Sequence, residues 1–186
     1  DYFLVWDQQG AQTNKGLEQE TLYTNNLNPV YSNDRIENSN IGFGERYAIA
    51  TRLSGFHELE DGKTMALAQY KKPGVAYFEQ KRLEANTLLK TLEILRSKKG
   101  DTICLTGGVA QNVVNNSKLQ EKIKDIKIVA CPFNGDFGIS LGAAAYYENL
   151  HRVYMPLKNI YTGLQTELDL HRFHKYKQEK VTYHDV

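Results

Sequence analysis

The segment from Thr102 to Leu150 constrains the fold most, because it reads as strand, helix, strand, helix without a break. TICLT (residues 102 to 106) and KIVAC (127 to 131) are short apolar runs that predict buried strands. The intervening and following stretches predict one helix from about Val109 to Lys124 and a second from about Ile139 to Leu150. That order implies parallel strands joined by right-handed crossovers in one sheet, an α/β fold.

The preceding residues extend the pattern. YFLVW (2 to 6) predicts a further buried strand that runs into the polar turn DQQG. Alternations such as TLYTNNLNPVYS, within Gln12 to Asn40, predict short antiparallel strands in a meander. Residues 41 to 54 show helical spacing after a glycine-rich entry, and a short helix is expected around 61 to 70 before Pro73 interrupts. From Val75 to Lys99, Tyr77, Phe78, Leu88, Leu89, Leu92 and Leu95 fall largely on one helical face, which predicts the longest helix. Residues 156 to 186 lack a clean period and read as an extension or the start of a linker, so the main domain is expected to span 1 to 155. The chain opens inside a strand without a methionine, and reads as a fragment.

Charge narrows the partners. Lys and Arg number 23 against 22 Asp and Glu, a formal net charge of +1, so no general field draws the chain to nucleic acid or to a membrane. A charged ligand must be held by a local site. No apolar run approaches the ~20 residues that span a bilayer. The two cysteines, Cys104 and Cys131, sit in the predicted strands and read as buried free thiols on neighbours, which fits a reducing, cytoplasmic setting.

The chemistry gathers at the turns. In LTGGVAQNVVNN, Gly107 and Gly108 follow a strand and precede a helix, where bare backbone and free N–H groups suit a nucleotide or another anion. A tight turn with close helix packing is the alternative. Asn112 and Asn116 are four apart and share a helix face, placing two amides within reach of a ribose, a phosphate or a metal-linked water, or forming a solvated stripe. Asp136 lies between Gly135 and Gly138 at the next strand-to-helix junction, as a cation ligand or a helix cap. Asp7 ends the first strand. Carboxylates at two strand ends, with glycines in both turns, suggest a phosphate and metal cleft.

The order of these motifs resembles the O-carbamoyltransferases of nodulation-factor and aminoglycoside-antibiotic tailoring. Residues 2 to 10 resemble that family's strand ending in an aspartate turn, 42 to 70 its glycine, tyrosine, threonine, EGK and M-x-LA-x-Y segment, 105 to 116 its GGVALN-x-x-x-N, and 134 to 144 its GDAG-x-x-LGAA. The resemblance implies the second lobe of an actin-like (ribonuclease H-like) ATPase domain, a mixed sheet with helices on both faces. It implies carbamoyl transfer from carbamoyl phosphate, through carbamoyl adenylate made from ATP in a further domain, to a small-molecule acceptor hydroxyl. A divalent cation, Fe(II) by the resemblance, would lie on Asp7 and Asp136. Gly107, Gly108 and Asn112 would contact the nucleotide and Asn116 the nucleotide or substrate. Lys63, in EDGK, would steady negative charge as a catalytic residue, or stand as a solvated lysine in a turn. The first turn departs from the family's D-G-x-G-E, reading Asp7, Gln8, Gln9, Gly10, Ala11. The family's paired metal histidines precede the first strand, and His57, His151, His171, His174 and His184 match none of them. The implied partners are the first lobe and the adenylate-forming domain, without which the chain should be inactive. Another actin-like sugar or acetate kinase, or a non-catalytic nucleotide-binding module, are the alternative readings.

Overall fold

The computed structural model describes residues 1–10, 12–35, 41–97 and 100–153. In chain order the strands are β1 (Tyr2–Trp6), β2 (Gln12–Thr13), β3 (Gly16–Thr24), β4 (Pro29–Arg35), β5 (Thr102–Thr106) and β6 (Lys127–Ala130). The helices are α1 (Phe43–Leu53), α2 (Asp61–Ala68), α3 (Val75–Ser97), α4 (Val113–Lys122) and α5 (Gly138–His151). The expected extension at 156–186 lies outside the described residues.

The strands form one mixed sheet. β1 pairs in parallel with β5 and antiparallel with β3, β6 continues the parallel edge beyond β5, and β2 and β4 pair antiparallel with β3. The meander and the parallel units are both as the sequence predicts.

Register decides which residues form the core. Leu4 stands opposite Leu22 on one side and Leu105 on the other, so these three point to the same face. Leu4, Trp6, Leu22, Ile103 and Leu105 are at most 1% exposed and pack with Tyr47 of α1, Leu83 and Ile94 of α3, and Leu119 of α4. Each such side chain contributes on the order of 1.5–3 kcal/mol by leaving water.

The opposite face is more open than the sequence suggests. Phe3 keeps 37% of its surface exposed. Cys104 and Cys131 are free thiols, half-buried rather than buried. The resemblance implies helices over both faces, yet α5 carries no buried residue and so does not seal this one. A run such as TICLT predicts a strand from its side chains, but cannot tell whether a helix covers both of its faces.

The face of α3 also differs from expectation. Its buried stripe is Ala76, Gln80, Leu83, Thr87, Thr91 and Ile94, whereas Phe78, Leu89 and Leu92 of the predicted apolar face are exposed. The polar members of the stripe are internally satisfied: the Thr87 and Thr91 hydroxyls donate to the carbonyls of Leu83 and Thr87, each at 2.8 Å. A hydroxyl bonded to its own helix can be buried at little cost, which an apolarity count misses.

The helix expected from Val109 is divided. A 3-10 turn, Gly108–Gln111, comes first, and α4 starts only at Val113. Asn112 sets that start, because its side chain accepts from the backbone N–H of Asn115 at 3.0 Å and caps the helix. No described helix is long and apolar enough to cross a membrane.

Candidate functional site

Because β1, β5 and β6 run parallel, the segments that follow them emerge at one edge of the sheet. Asp7 follows β1, Gly107 and Gly108 follow β5, and Asp136 lies in the turn between β6 and α5. The carboxyl edge of parallel strands is where α/β sheets bind ligands.

The two glycines have separate reasons to be there. Gly107 holds φ at +87°, in the left-handed region, and a Cβ on it would run into the Trp6 carbonyl oxygen. Gly108 faces the neighbouring turn, where a Cβ would lie 3.0 Å from Asp7 Oδ1. The first glycine therefore lets the chain pass close to β1, and the second leaves the Asp7 carboxylate open to the turn. Further bonds fix the turns to each other: Asn116 Nδ2 and Asn134 Nδ2 both donate to the Ala110 carbonyl, at 2.7 and 2.9 Å.

These turns enclose a cleft of about 380 Å³. Asp7, Gln8, Gly108, Gln111, Asn112 and Asp136 line it from the strand ends, and Tyr47, Asp61, Met65 and Leu83 from the helical side. No Lys, Arg or His is among the described residues that line it. Three carboxylates without a cationic side chain make the cleft electronegative.

Below the cleft a buried polar network joins three helices. Tyr47 Oη donates to Gln80 Oε1 at 2.6 Å, and Asn112 Nδ2 donates to the same oxygen at 2.9 Å. Burial pushes the Tyr47 phenol above its ordinary pKa, which keeps it protonated as the donor. One turn further, the Thr87 hydroxyl oxygen lies 2.7 Å from the Asn115 carboxamide. A second network orients Asp61: Thr51 Oγ1 donates to its Oδ1 at 2.7 Å, and Thr64 Oγ1 donates to Thr51 Oγ1 at 2.9 Å.

The sequence-predicted residues thus divide. Asp7, Gly108, Asn112 and Asp136 meet at the cleft. Gly107 is a backbone support behind it, and Asn116 turns its amide to the Ala110 carbonyl. The Asn112 side chain is committed to capping α4 and to Gln80, so the turn's backbone is its free surface. Lys63 is outside the lining and pairs with Glu60 at the start of α2, while Asp61 from the same EDGK motif faces the cleft. Tyr47, Gln80, Asp61 and Gln111 are the site residues sequence reasoning missed. For Gln80 a signal existed, since 80, 87 and 91 repeat polar residues at helical spacing on the buried stripe.

Among the described residues no group of three or more His, Cys, Asp and Glu is placed to hold a metal ion. Asp7 and Asp136 are an incomplete donor set as they stand.

Residues 75–145 match the family model for the carbamoyltransferase N-terminus. That stretch of the chain is similar to the carbamoyltransferase N-terminus. The matched stretch runs from α3 through the Gly107 turn to the Asp136 turn, and leaves out Asp7 and the 42 to 70 segment. A protein of Methanocaldococcus jannaschii described as uncharacterized, MJ1051, is 28% identical over 194 aligned positions. That alignment covers 77% of this chain and 36% of the relative, so the chain spans little more than a third of the relative's length. Among solved structures, component A of the (R)-2-hydroxyglutaryl-CoA dehydratase of Acidaminococcus fermentans is similar with a TM-score of 0.50 at 13% identity, covering 81% of this chain and 62% of that one. The activator of the 2-hydroxyisocaproyl-CoA dehydratase of Clostridium difficile, solved with bound ADPNP, gives 0.48 at 10% identity over 85% of this chain and 65% of that one. The chain has the mixed-sheet, actin-like ATPase fold that its sequence resembles.

Proposed function

We propose that this chain is the second lobe of an actin-like domain in a cytoplasmic, ATP-dependent O-carbamoyltransferase. It supplies one wall of the cleft in which a carbamoyl group passes from an adenylate to an acceptor hydroxyl. The observation that carries the reading is the meeting of Asp7, Gly108 and Asp136 at one sheet edge, in a chain whose residues 75–145 match the carbamoyltransferase N-terminus. The Gly107–Gly108 turn offers backbone to the nucleotide, with Asn112 holding the turn in place rather than contacting the ligand through its amide.

The charge of the cleft adds a requirement. A polyphosphate cannot sit beside three carboxylates unless a cation accompanies it. Asp7 and Asp136 would hold that cation, Fe(II) by the family resemblance, with the remaining ligands coming from outside the described residues. When bound, the ion would neutralise phosphoryl or carbamoyl oxygen charge. Lys63 is oriented away from this place by Glu60, which favours its surface role over a catalytic one. Asn116 likewise serves the turn through Ala110.

The test is labelled carbamoyl phosphate incubated with ATP, Fe(II) and hydroxyl acceptors in the presence of the full-length protein. Label on the acceptor, dependent on ATP, is the expected result. ATP-dependent phosphorylation of an acceptor with no need for carbamoyl phosphate would replace the reading with a kinase.

A further inference from the structure

Most polar side chains around the cleft are already committed. Tyr47 is bound to Gln80, Asn112 to Gln80 and Asn115, and Asp61 to Thr51. The carboxamides of Gln8 and Gln111 are not, and of the two Gln111 is the exposed one. It lines the cleft, is exposed, and has no hydrogen-bond partner for its carboxamide among the described residues. Its place is nonetheless defined, because the Nε2 end lies over the bare Cα of Gly135, where a Cβ would be 2.8 Å away. The carboxamide is thereby seated against the turn that carries Asp136, on the strand-end side of the cleft. The apolar lining residues Met65 and Leu83 are contributed instead by α2 and α3.

A carboxamide presents a donor and an acceptor side by side in one plane. The ligand group that complements it must present an acceptor and a donor in the same way, as the carbonyl and amino group of a carbamoyl do. A flat base needs apolar surface, and that belongs to the helical side. We infer that Gln111 is a specificity-determining residue that recognises the carbamoyl group: Nε2 donates to the carbamoyl oxygen, and Oε1 accepts from the carbamoyl N–H. This rests on the carbamoyl-transfer reading above and names the residue that distinguishes a carbamoyl from other acyl groups.

Acetyl adenylate tests it, since it differs from carbamoyl adenylate by a methyl in place of the amino group. Both compounds, freshly prepared, are used to displace labelled ATP from the full-length protein and from its Gln111→Leu and Gly135→Ala variants. Gln111 is exposed, so its replacement leaves the fold intact, and circular dichroism checks this. The native protein binds carbamoyl adenylate about tenfold more tightly than acetyl adenylate, in line with one good amide pair. Gln111→Leu brings the two to within about twofold, and Gly135→Ala, whose methyl presses on the Gln111 amide and on the Phe137 ring, narrows the gap in the same direction. Equal binding by the native protein, or an unchanged preference in Gln111→Leu, overturns the inference and leaves the nucleotide cleft standing. A change in ATP-against-GTP preference alone in Gln111→Leu also overturns it, making the residue a reader of the base. If labelled ATP does not bind at all, the inference and the proposed function fall together.

Discussion

Asn112 and Gln80 hold each other through a reciprocal carboxamide pair. Asn112 Nδ2 donates to Gln80 Oε1 at 2.9 Å, and Gln80 Nε2 donates back to Asn112 Oδ1 at 3.3 Å. The pair joins the start of α4 to the first half of α3, and both residues are buried. Gln80→Leu strands the Asn112 amide and the Tyr47 hydroxyl inside the protein, at a cost of about 1–3 kcal/mol in urea unfolding. Asn112→Ala also removes a helix cap worth ~1 kcal/mol. The double variant should lose clearly less than the sum of the two singles, because each single already breaks the shared bonds.

The glycine pair separates stability from function. Gly107→Ala meets both a left-handed backbone and the Trp6 carbonyl, and should destabilise by about 1–3 kcal/mol. Gly108→Ala has neither problem. It presses only on the Asp7 carboxylate, so the melting temperature should change little while nucleotide affinity falls. Thermal unfolding and nucleotide titration on the same two variants check the contrast.

Glu20 gives the fold a pH dependence with a definite sign. Burial is the main cause that raises its carboxyl pKa above 4.5, against the lowering effects of the Asn33 hydrogen bond and Lys90. The folded state therefore binds this proton more tightly than the unfolded state. Its stabilising contribution is fully present below pH 4.5 and is lost as pH rises through the folded value. Glu20→Gln cannot lose it. Chemical denaturation from pH 4 to pH 8 should show the variant gaining on the native protein as pH rises, and a constant difference would count against a buried, protonatable Glu20.

The open sheet face can be read with a thiol reagent. Cys104 and Cys131 are both half-buried, so an aromatic disulfide should modify both without denaturant. Burial, and then the neighbouring Cys131, raise the Cys104 thiol pKa, so its modification should accelerate further into the alkaline range. Thiols silent until unfolding would mean that this face is covered.

Much of the fold is legible in local sequence. YFLVW and TICLT are strands because their β-branched and aromatic residues fit a pleated surface, and the glycine pair marks a turn wherever a strand must yield to a helix. What stays hidden depends on distance along the chain. Tyr47, Gln80 and Asn112 lie more than thirty positions apart pairwise, and no local pattern announces that three polar residues share a buried network. The same limit explains EDGK, where spacing alone cannot tell which of Asp61 and Lys63 turns inward. The Thr51 hydroxyl draws Asp61 in, and Glu60 keeps Lys63 outside.

The cleft itself is tested most directly by ATP titration of the full-length protein, with and without a divalent cation, against its Asp136→Asn variant. Asp136 is exposed, so the variant should unfold like the native protein. Cation-dependent binding by the native protein, weakened at least tenfold in Asp136→Asn with stability unchanged, is the predicted result. Equal ATP binding by both proteins, with no dependence on the cation, would contradict a nucleotide cleft built on Asp7, the Gly107–Gly108 turn and Asp136.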